Sequence, residues 1–176
     1  MKWNALPLAG AYLLEIQPVS DDRGFFARTW CSDEARELGL SIDFVQSSLS
    51  YNARKGTLRG MHYQVQPHAE AKLVRCTAGA IYDVLVDLRS DSPTFCKWLA
   101  IELSAESRKS VYIPTGFAHG FQSLSDHSEV FYQISESYHP NCARGVRWND
   151  KAFAFEWPLE AVILSERDRS FPDFLP

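Results

Sequence analysis

The sequence predicts a mainly antiparallel β-fold, and a jelly roll best fits the number of its short strands. From Phe44 onward, short apolar runs are separated by turn residues at intervals of about eight to twelve residues, which is typical of sandwiches and barrels. Helical and strand patterns do not alternate, so a doubly wound parallel sheet is disfavoured. The length of 176 residues, without a linker or internal repeat, favours one domain over residues 1–176.

The first part of the chain predicts two strands and one helix. Residues 11–17 alternate loosely and form the first expected strand, which a turn at residues 18–22 ends. After a loop, Phe25 begins another strand. Ser32, followed by two acidic residues, is a good helix N-terminus, and Gly39 is a good stop. This short helix is expected to be the longest in the protein.

The remainder predicts strands joined by turns. The expected strands cover residues 44–51, 73–77, 80–88, 97–103, 110–113, 120–124 and 129–135. A further strand is expected to end at His62, and residues 165–168 are expected to form a short turn of helix. The fold is therefore predicted to be all-β apart from a few short helices.

Composition limits the classes of partner. Hydrophobic residues make up 45% of the chain and charged residues 23%, which is ordinary for a globular protein. The net charge of −4 and the lack of a basic stripe predict no nucleic-acid partner. No run approaches the ~20 apolar residues of a membrane span, and no signal peptide is recognised, so neither a membrane nor export is expected.

The four cysteines indicate a reducing compartment. Cys31, Cys76, Cys96 and Cys142 are widely separated and form no CxxC pair, which excludes a zinc ribbon and makes a disulfide framework improbable. We expect reduced thiols in a cytoplasmic protein.

One stretch concentrates the residues that carry chemistry. Residues 58–75, with the sequence LRGMHYQVQPHAEAKLVR, include Arg59, His62, His68 and Lys72. A strand ending in His62 and another starting near Lys72 would aim a base and a cation into one cavity. A histidine is the side chain best suited to general base catalysis near neutral pH. Cations crowded around it indicate that negative charge develops between them.

Other uses of His62 have to be weighed. It could be a structural histidine with a backbone partner. A cupin-type metal site would need an HxH pair, but here Gln64 follows at the second position, and the ammonium of Lys72 would repel a divalent cation. We therefore expect neither a metal nor a cofactor.

Three further residues are candidates on weaker grounds. Tyr132 shares a strand face with Val130, although a tyrosine there is more often part of the core. His119 lies between small residues and could approach a ligand closely, or it could be a loop residue. Asp168 could orient His62, or it could be a solvated charge in a polar tail. The sequence has no GxGxxG, GxxxxGK or GxSxG motif.

Seven short motifs, in order, resemble one known family. They are DDRGFF, LRGMHYQ, KLVR, VDLRSDSPTFCKW, IPTGFAHGF, RGVRWND and LSERD, and they extend from about Asp21 to Asp168. Together they resemble the dTDP-4-dehydrorhamnose 3,5-epimerases, the RmlC-type cupins. The resemblance implies a metal-free, cupin-type double-stranded β-helix that acts as a homodimer on a nucleotide-linked 4-keto-6-deoxyhexose.

The resemblance also implies roles for four catalytic residues. His62 is expected to be the base and Asp168 its orienting partner. Lys72 is expected to stabilise the enolate oxygen, and Tyr132 to be the acid on the opposite face of the sugar. The chemistry agrees with these residue types, because a C4 ketone acidifies the protons on both C3 and C5.

A larger set is expected to bind the substrate. This set consists of Arg23, Phe26, Arg28, Gln46, Ser48, Arg59, His119, Tyr138 and Arg167. Arg59 and His119 are expected on the sugar and diphosphate, while Tyr138 stacks on the base and Arg167 supplies a cationic contact. Arg23, Phe26 and Gln46 are expected to hold the nucleotide, with Arg23 reaching in from the dimer partner.

The sequence departs from the family pattern at three positions. Members commonly have Glu at the position of Arg28, Asn at that of Ser48 and Glu at that of Ala143. All three are expected on the nucleotide side, so the alternatives concern the substrate. The chain could invert one centre only, act as a ketoisomerase, accept a CDP- or GDP-sugar, or bind a sugar nucleotide without catalysis.

Overall fold

Two antiparallel sheets lie face to face in the computed structural model, which describes residues 1–40, 42–161 and 163–175. The six-stranded sheet has the spatial order β1 (Lys2–Ala5), β2 (Tyr12–Glu15), β10 (Ser110–Ile113), β7 (Lys72–Ala78), β12 (Ser128–Ile134) and β5 (Gln46–Asn52). The five-stranded sheet has the order β13 (Ala143–Gly145), β6 (Leu58–Gln64), β11 (Phe117–Ser123), β8 (Ala80–Asp87) and β9 (Trp98–Ser104). A separate hairpin pairs β3 (Val19–Asp21) with β4 (Gly24–Phe26), and the helices are α1 (Ser32–Glu37) and α2 (Glu166–Arg169).

The main core fills the space between the two sheets. Val74 and Val130 of the six-stranded sheet pack with Leu85, Leu103 and Phe121 of the five-stranded sheet, and all five are buried. Alternation along each strand directs these side chains inward. The predicted jelly-roll architecture is therefore confirmed.

A second core lies on the outer face of the five-stranded sheet. The C-terminal tail covers this face with Val146, Phe153 and Phe155, which pack against Val84 and Val86. Strands β8 and β11 are consequently covered on both faces, and most of their residues are buried.

A closed polar cluster fixes the loop after β8. The Asp87 carboxylate accepts hydrogen bonds from the Arg89 guanidinium at 2.7 and 2.9 Å and from the Thr94 hydroxyl at 2.7 Å. Ser92 donates to it as well. Burial would raise the pKa of Asp87, but these donors outweigh burial and lower it to about 2. The conspicuous motif VDLRSDSPTF therefore stabilises a loop.

Most predicted elements are present, with a few differences. The predicted helix forms from Ser32, and the helical turn in the tail forms as α2, where the Ser165 side chain accepts from the Asp168 N–H. Strands β1, β3 and β13 were not predicted, since each has only three or four residues. Strand β11 begins at Phe117, so His119 lies within a strand and not in a loop.

Among the described residues, no helix is long and apolar enough to cross a membrane.

Candidate active site

A pocket of about 650 Å³ contains most of the residues that the sequence nominates. Ten of the thirteen predicted site residues line it: Gln46, Ser48, Arg59, His62, Lys72, His119, Tyr132, Tyr138, Arg167 and Asp168. They come from both sheets and from the C-terminal tail. The double-sheet fold therefore assembles one site from segments that are far apart in the sequence.

His62 and Asp168 form a histidine–carboxylate pair. His62 Nε2 lies 2.6 Å from Asp168 Oδ1, and the Gly60 N–H donates to the other carboxylate oxygen at 3.3 Å. Burial would raise the pKa of Asp168, but the hydrogen bonds from His62, Gly60 and Ser165 outweigh it and lower that pKa. The His62 side chain is 39% exposed, whereas that of Asp168 is 5% exposed. A buried carboxylate thus orients an imidazole that faces the pocket.

Two glycines allow the strands beneath this pair to approach closely. A Cβ on Gly60, whose φ is +140°, would lie 2.5 Å from the Gly120 Cα on the neighbouring strand. No L side chain fits at this contact. The Gly60 N–H is thereby held where it meets the Asp168 carboxylate.

Lys72 and Tyr132 belong to the opposite sheet. Tyr132 is paired with Val74 across β12 and β7, so Tyr132, Val74 and Lys72 share the inner face. The Lys72 ammonium lies 2.8 Å from Glu70 Oε1 and 3.5 Å from the His62 carbonyl oxygen. Burial raises the pKa of the Tyr132 phenol well above its usual value, and Asp83 adds to this. The Tyr132 phenol is therefore protonated at physiological pH.

His119 forms a second histidine–carboxylate pair beside the first. Residues His119 and His62 are direct partners across β11 and β6, and His119 Nε2 lies 2.7 Å from Asp83 Oδ1. Asp83 is fully buried, and burial raises its pKa, although His119 and Lys72 partly offset the rise. Its other oxygen has no hydrogen-bond partner among the described residues. Asp83 therefore links the floor of the pocket electrostatically to His119 and to the Lys72 ammonium.

The predicted nucleotide side of the pocket is lined from β5 and the loops. Gln46 and Ser48 lie on the inner face of β5, since Ser48 is paired with Tyr132. Arg59 is held by the Asn52 side chain, with its Nε 2.8 Å from Asn52 Oδ1. Tyr138 is 55% exposed. This ring is thus free to stack on a flat ligand.

Comparisons with known proteins identify the family. The family model described as dTDP-4-dehydrorhamnose 3,5-epimerase matches residues 5–175. The dTDP-4-dehydrorhamnose 3,5-epimerase of Pseudomonas aeruginosa is 43% identical over 171 residues, which are 96% of this chain and 93% of that protein. The chain belongs to this epimerase family. As the motifs predict, the protein is an isomerase of the RmlC type, and its jelly roll is the cupin fold of that family.

Solved structures agree over nearly the whole chain. The Bacillus anthracis epimerase, solved with TDP and PPi bound, is 44% identical, with a TM-score of 0.94 and coverage of 98% of this chain and 99% of that one. The Legionella pneumophila epimerase, solved in complex with dTDP-4-keto-L-rhamnose, is 33% identical, with a TM-score of 0.88 and coverage of 99% of both chains. These relatives support the prediction of a 3,5-epimerase acting on a dTDP-4-keto-6-deoxyhexose.

Three predicted residues of the epimerase lie outside its pocket. Arg23 is on the β3–β4 hairpin, where its side chain is 90% exposed and contacts Asp21. Phe26 is 81% exposed, and it lines a second, smaller cavity together with Arg28 and Glu34. Within one chain, therefore, Arg28 is separate from Ser48 and Ala143, which both line the main pocket.

Four residues of the epimerase site were not singled out from the sequence. Asp83 and Glu70 contact His119 and Lys72, Gln64 contacts Glu70, and the Phe171 ring lies 6.0 Å from that of His62. Glu70 lies two positions before Lys72, and Gln64 lies two positions after His62. This proximity in sequence is the only feature from which the two residues could have been predicted. Asp83 and Phe171 become neighbours of the site only through the folding of distant segments.

One group outside the pocket has the composition of a metal site. His68, Glu136 and His139 have donor atoms within 4.8 Å of one another. However, the two imidazole rings are stacked, with centroids 3.3 Å apart and planes inclined by 10°, so their in-plane lone pairs lie in two parallel planes and do not converge on one ion. His68 lies in the loop between β6 and β7, outside the pocket.

Proposed function

We propose that this protein inverts C3 and C5 of a dTDP-4-keto-6-deoxyhexose through an enolate. His62 removes the proton from the carbon, the ammonium of Lys72 stabilises the negative charge that develops on the C4 oxygen, and Tyr132 delivers a proton to the other face. Both groups recover their starting protonation by exchange with solvent. Asp168 orients the imidazole throughout.

One observation carries the assignment of roles. His62 projects from the five-stranded sheet, whereas Tyr132 and Lys72 project from the six-stranded sheet, and all three line the same pocket. An inversion requires that the proton leaves one face and arrives at the other. A base and an acid on opposite walls, with a cation beside the acid, meet this requirement.

Deuterium incorporation tests the proposal. The protein is incubated with dTDP-4-keto-6-deoxyglucose in deuterated water, and the product is examined by NMR. We expect deuterium at both C3 and C5. Exchange at a single carbon would support a single-centre epimerase, and a preference for the CDP- or GDP-linked sugar would change the nucleotide. Tight binding of the dTDP-, CDP- or GDP-linked sugar without deuterium exchange would indicate a non-catalytic binding protein.

A homodimer is part of the proposal. The β3–β4 hairpin exposes Val19 at 75% and Phe26 at 81%, and Arg23 at its tip does not line the pocket of its own chain. Such an apolar, exposed hairpin supports a role in which it covers the partner's pocket and supplies Arg23 there.

Two further expectations belong to the proposal. The organisation of residues 1–176 as one domain stays a prediction. The four free cysteines support a reducing, cytoplasmic location.

Co-expression of two inactive variants tests the contribution of Arg23. In a mixed dimer of Arg23→Ala with His62→Asn, one pocket has His62 and receives the intact Arg23 of the partner. Random pairing should therefore restore about a quarter of the wild-type sites. If Arg23 acts in its own chain, neither pocket is complete and no activity returns.

A further inference from the structure

Glu70 is a largely buried carboxylate whose side-chain partners, Gln64 and Lys72, both line the pocket. It lies in the loop just before β7, two residues from Lys72. Its Oε1 is 2.8 Å from Lys72 Nζ, and its Oε2 accepts a hydrogen bond from Gln64 Nε2 at 2.9 Å. The side chains of Glu70 and Lys72 are each 10% exposed. We infer that Glu70 is a positioning residue that aims the Lys72 ammonium at the substrate oxygen, which rests on the role proposed for Lys72.

The donor count of the ammonium supports this inference. A lysine has three N–H donors on a flexible stem of four carbons. Among the described residues, Lys72 directs one donor to Glu70 and one, at 3.5 Å, to the His62 carbonyl oxygen. These two contacts define the direction of the third donor. Because Lys72 lines the pocket, that donor is available for a substrate oxygen.

The other side of Glu70 is fixed by a buried amide. Gln64 is 3% exposed, and its Oε1 accepts the His139 N–H at 2.6 Å. Its Nε2 also lies 3.1 Å from the carbonyl oxygens of His68 and Ser137. The amide is therefore anchored on two separate loops. A carboxylate that bridges this anchor and Lys72 has little freedom to turn, and neither has the ammonium it holds.

The burial of the pair separates it from ordinary surface ion pairs. Exposed pairs contribute little because water screens them and both side chains lose entropy. Here both partners are nearly excluded from water, so removing the charge of one leaves the other without compensation. The ammonium would then turn toward other acceptors and lose the direction that preorganised stabilisation requires.

Kinetics of Glu70→Gln test the inference. We expect kcat for deuterium exchange at C3 and C5 to fall about tenfold, with KM within about twofold of wild type. The matched control is Glu136→Gln, because the Glu136 carboxylate lies near His68 and His139 and does not contact Lys72. This control should keep kcat within about twofold.

A double-mutant cycle separates positioning from a structural role. If Glu70 acts through Lys72, then Glu70→Gln should slow exchange in the wild-type background and have no further effect in Lys72→Ala. An equal tenfold loss in both backgrounds would overturn the inference. If Glu70→Gln does not fold, Glu70→Asp is read by the same criterion, because its shorter carboxylate cannot bridge Gln64 and Lys72.

The failure of this inference is distinguishable from that of the proposed function. Full exchange by Lys72→Ala would reject the role of Lys72 itself. Slow exchange by Lys72→Ala together with wild-type kcat in Glu70→Gln would reject the role of Glu70 alone.

Discussion

Two regions of the protein hold buried carboxylates among polar partners, and they differ in what those carboxylates contact. After β8, both oxygens of Asp87 are satisfied by Arg89, Ser92 and Thr94, all within seven residues in the sequence. In the pocket, Asp168 and Asp83 each hold a histidine that comes from a strand distant in sequence. The first cluster is closed, whereas the second leaves its basic groups facing a cavity.

The two regions serve different purposes, one for stability and the other for function. The Asp87 carboxylate is saturated by donors from its own loop, so this cluster holds the loop in place. In the pocket, Asp168 and Asp83 each contact one nitrogen of a histidine ring. These contacts orient the two rings and leave the rest of each ring available to a ligand. Charged groups supported in this way are characteristic of active sites. Substitutions in the two regions should consequently affect different measurements.

The largest effect is expected for His62→Asn. Removing the general base should lower deuterium exchange at C3 and C5 by about a thousandfold, since such bases commonly contribute 10²- to 10⁴-fold. Because the His62 side chain is 39% exposed, we expect the melting temperature to change little. Binding of dTDP, measured by calorimetry, should be retained. Wild-type exchange in this variant would mean that another group is the base.

Lys72→Ala is expected to have the next largest effect. Loss of the cation at the enolate oxygen should lower turnover by about a hundredfold or more, as for the loss of one oxyanion-hole donor. The control is Lys97→Ala, which removes an exposed lysine that does not line the pocket. Steady-state rates with dTDP-4-keto-6-deoxyglucose provide the measurement. If Lys72→Ala keeps its activity, the assigned role of the cation is wrong.

Asp87→Asn should instead change stability. The pKa of Asp87 is lowered from 3.8 to about 2 in the folded protein, so the carboxylate stabilises the fold at pH values above that of a free carboxyl group. This contribution, about 2 kcal/mol in the free energy of unfolding, is lost as the pH falls from about 4 to about 2. Denaturant unfolding at pH 7 and pH 3 should show about half of this loss in wild type, and a smaller dependence on pH in Asp87→Asn.

Activity at pH 7 completes the test of Asp87. Per folded molecule, Asp87→Asn should epimerise at the wild-type rate, because Asp87 does not line the pocket. Asp91→Asn, which changes an exposed acid of the same loop, should leave stability within about 0.5 kcal/mol. A fall in turnover for Asp87→Asn without a fall in stability would contradict the division between the two regions.

The sequence predicts features that depend on local patterns. It does not predict which residues become neighbours through the register between distant strands. The spacing of His62 and Lys72 around one loop predicts that both face one cavity, and the structure bears this out. Asp83, by contrast, reads as an ordinary position in an apolar strand, and only the pairing of β8 with β11 brings it to His119. Asp168 lies 106 residues from His62, so its partnership followed from the family motif and not from local physics.

The smallest effect is expected for Arg28→Ala, because Arg28 lies outside both the Asp87 cluster and the main pocket. Arg28 is 62% exposed, and its contact with Glu34 at 3.4 Å contributes little to stability. If it reaches the nucleotide across a dimer, its removal should raise KM about threefold at low salt with kcat unchanged, because it contributes only to binding. The increase in KM should shrink as added salt screens the charge.

The matched control is Arg36→Ala, which removes an exposed arginine that pairs with Asp33 and lines neither cavity. An unchanged KM would remove Arg28 from the substrate-binding set, whereas a lower kcat would place it nearer the reacting carbons than the single chain indicates.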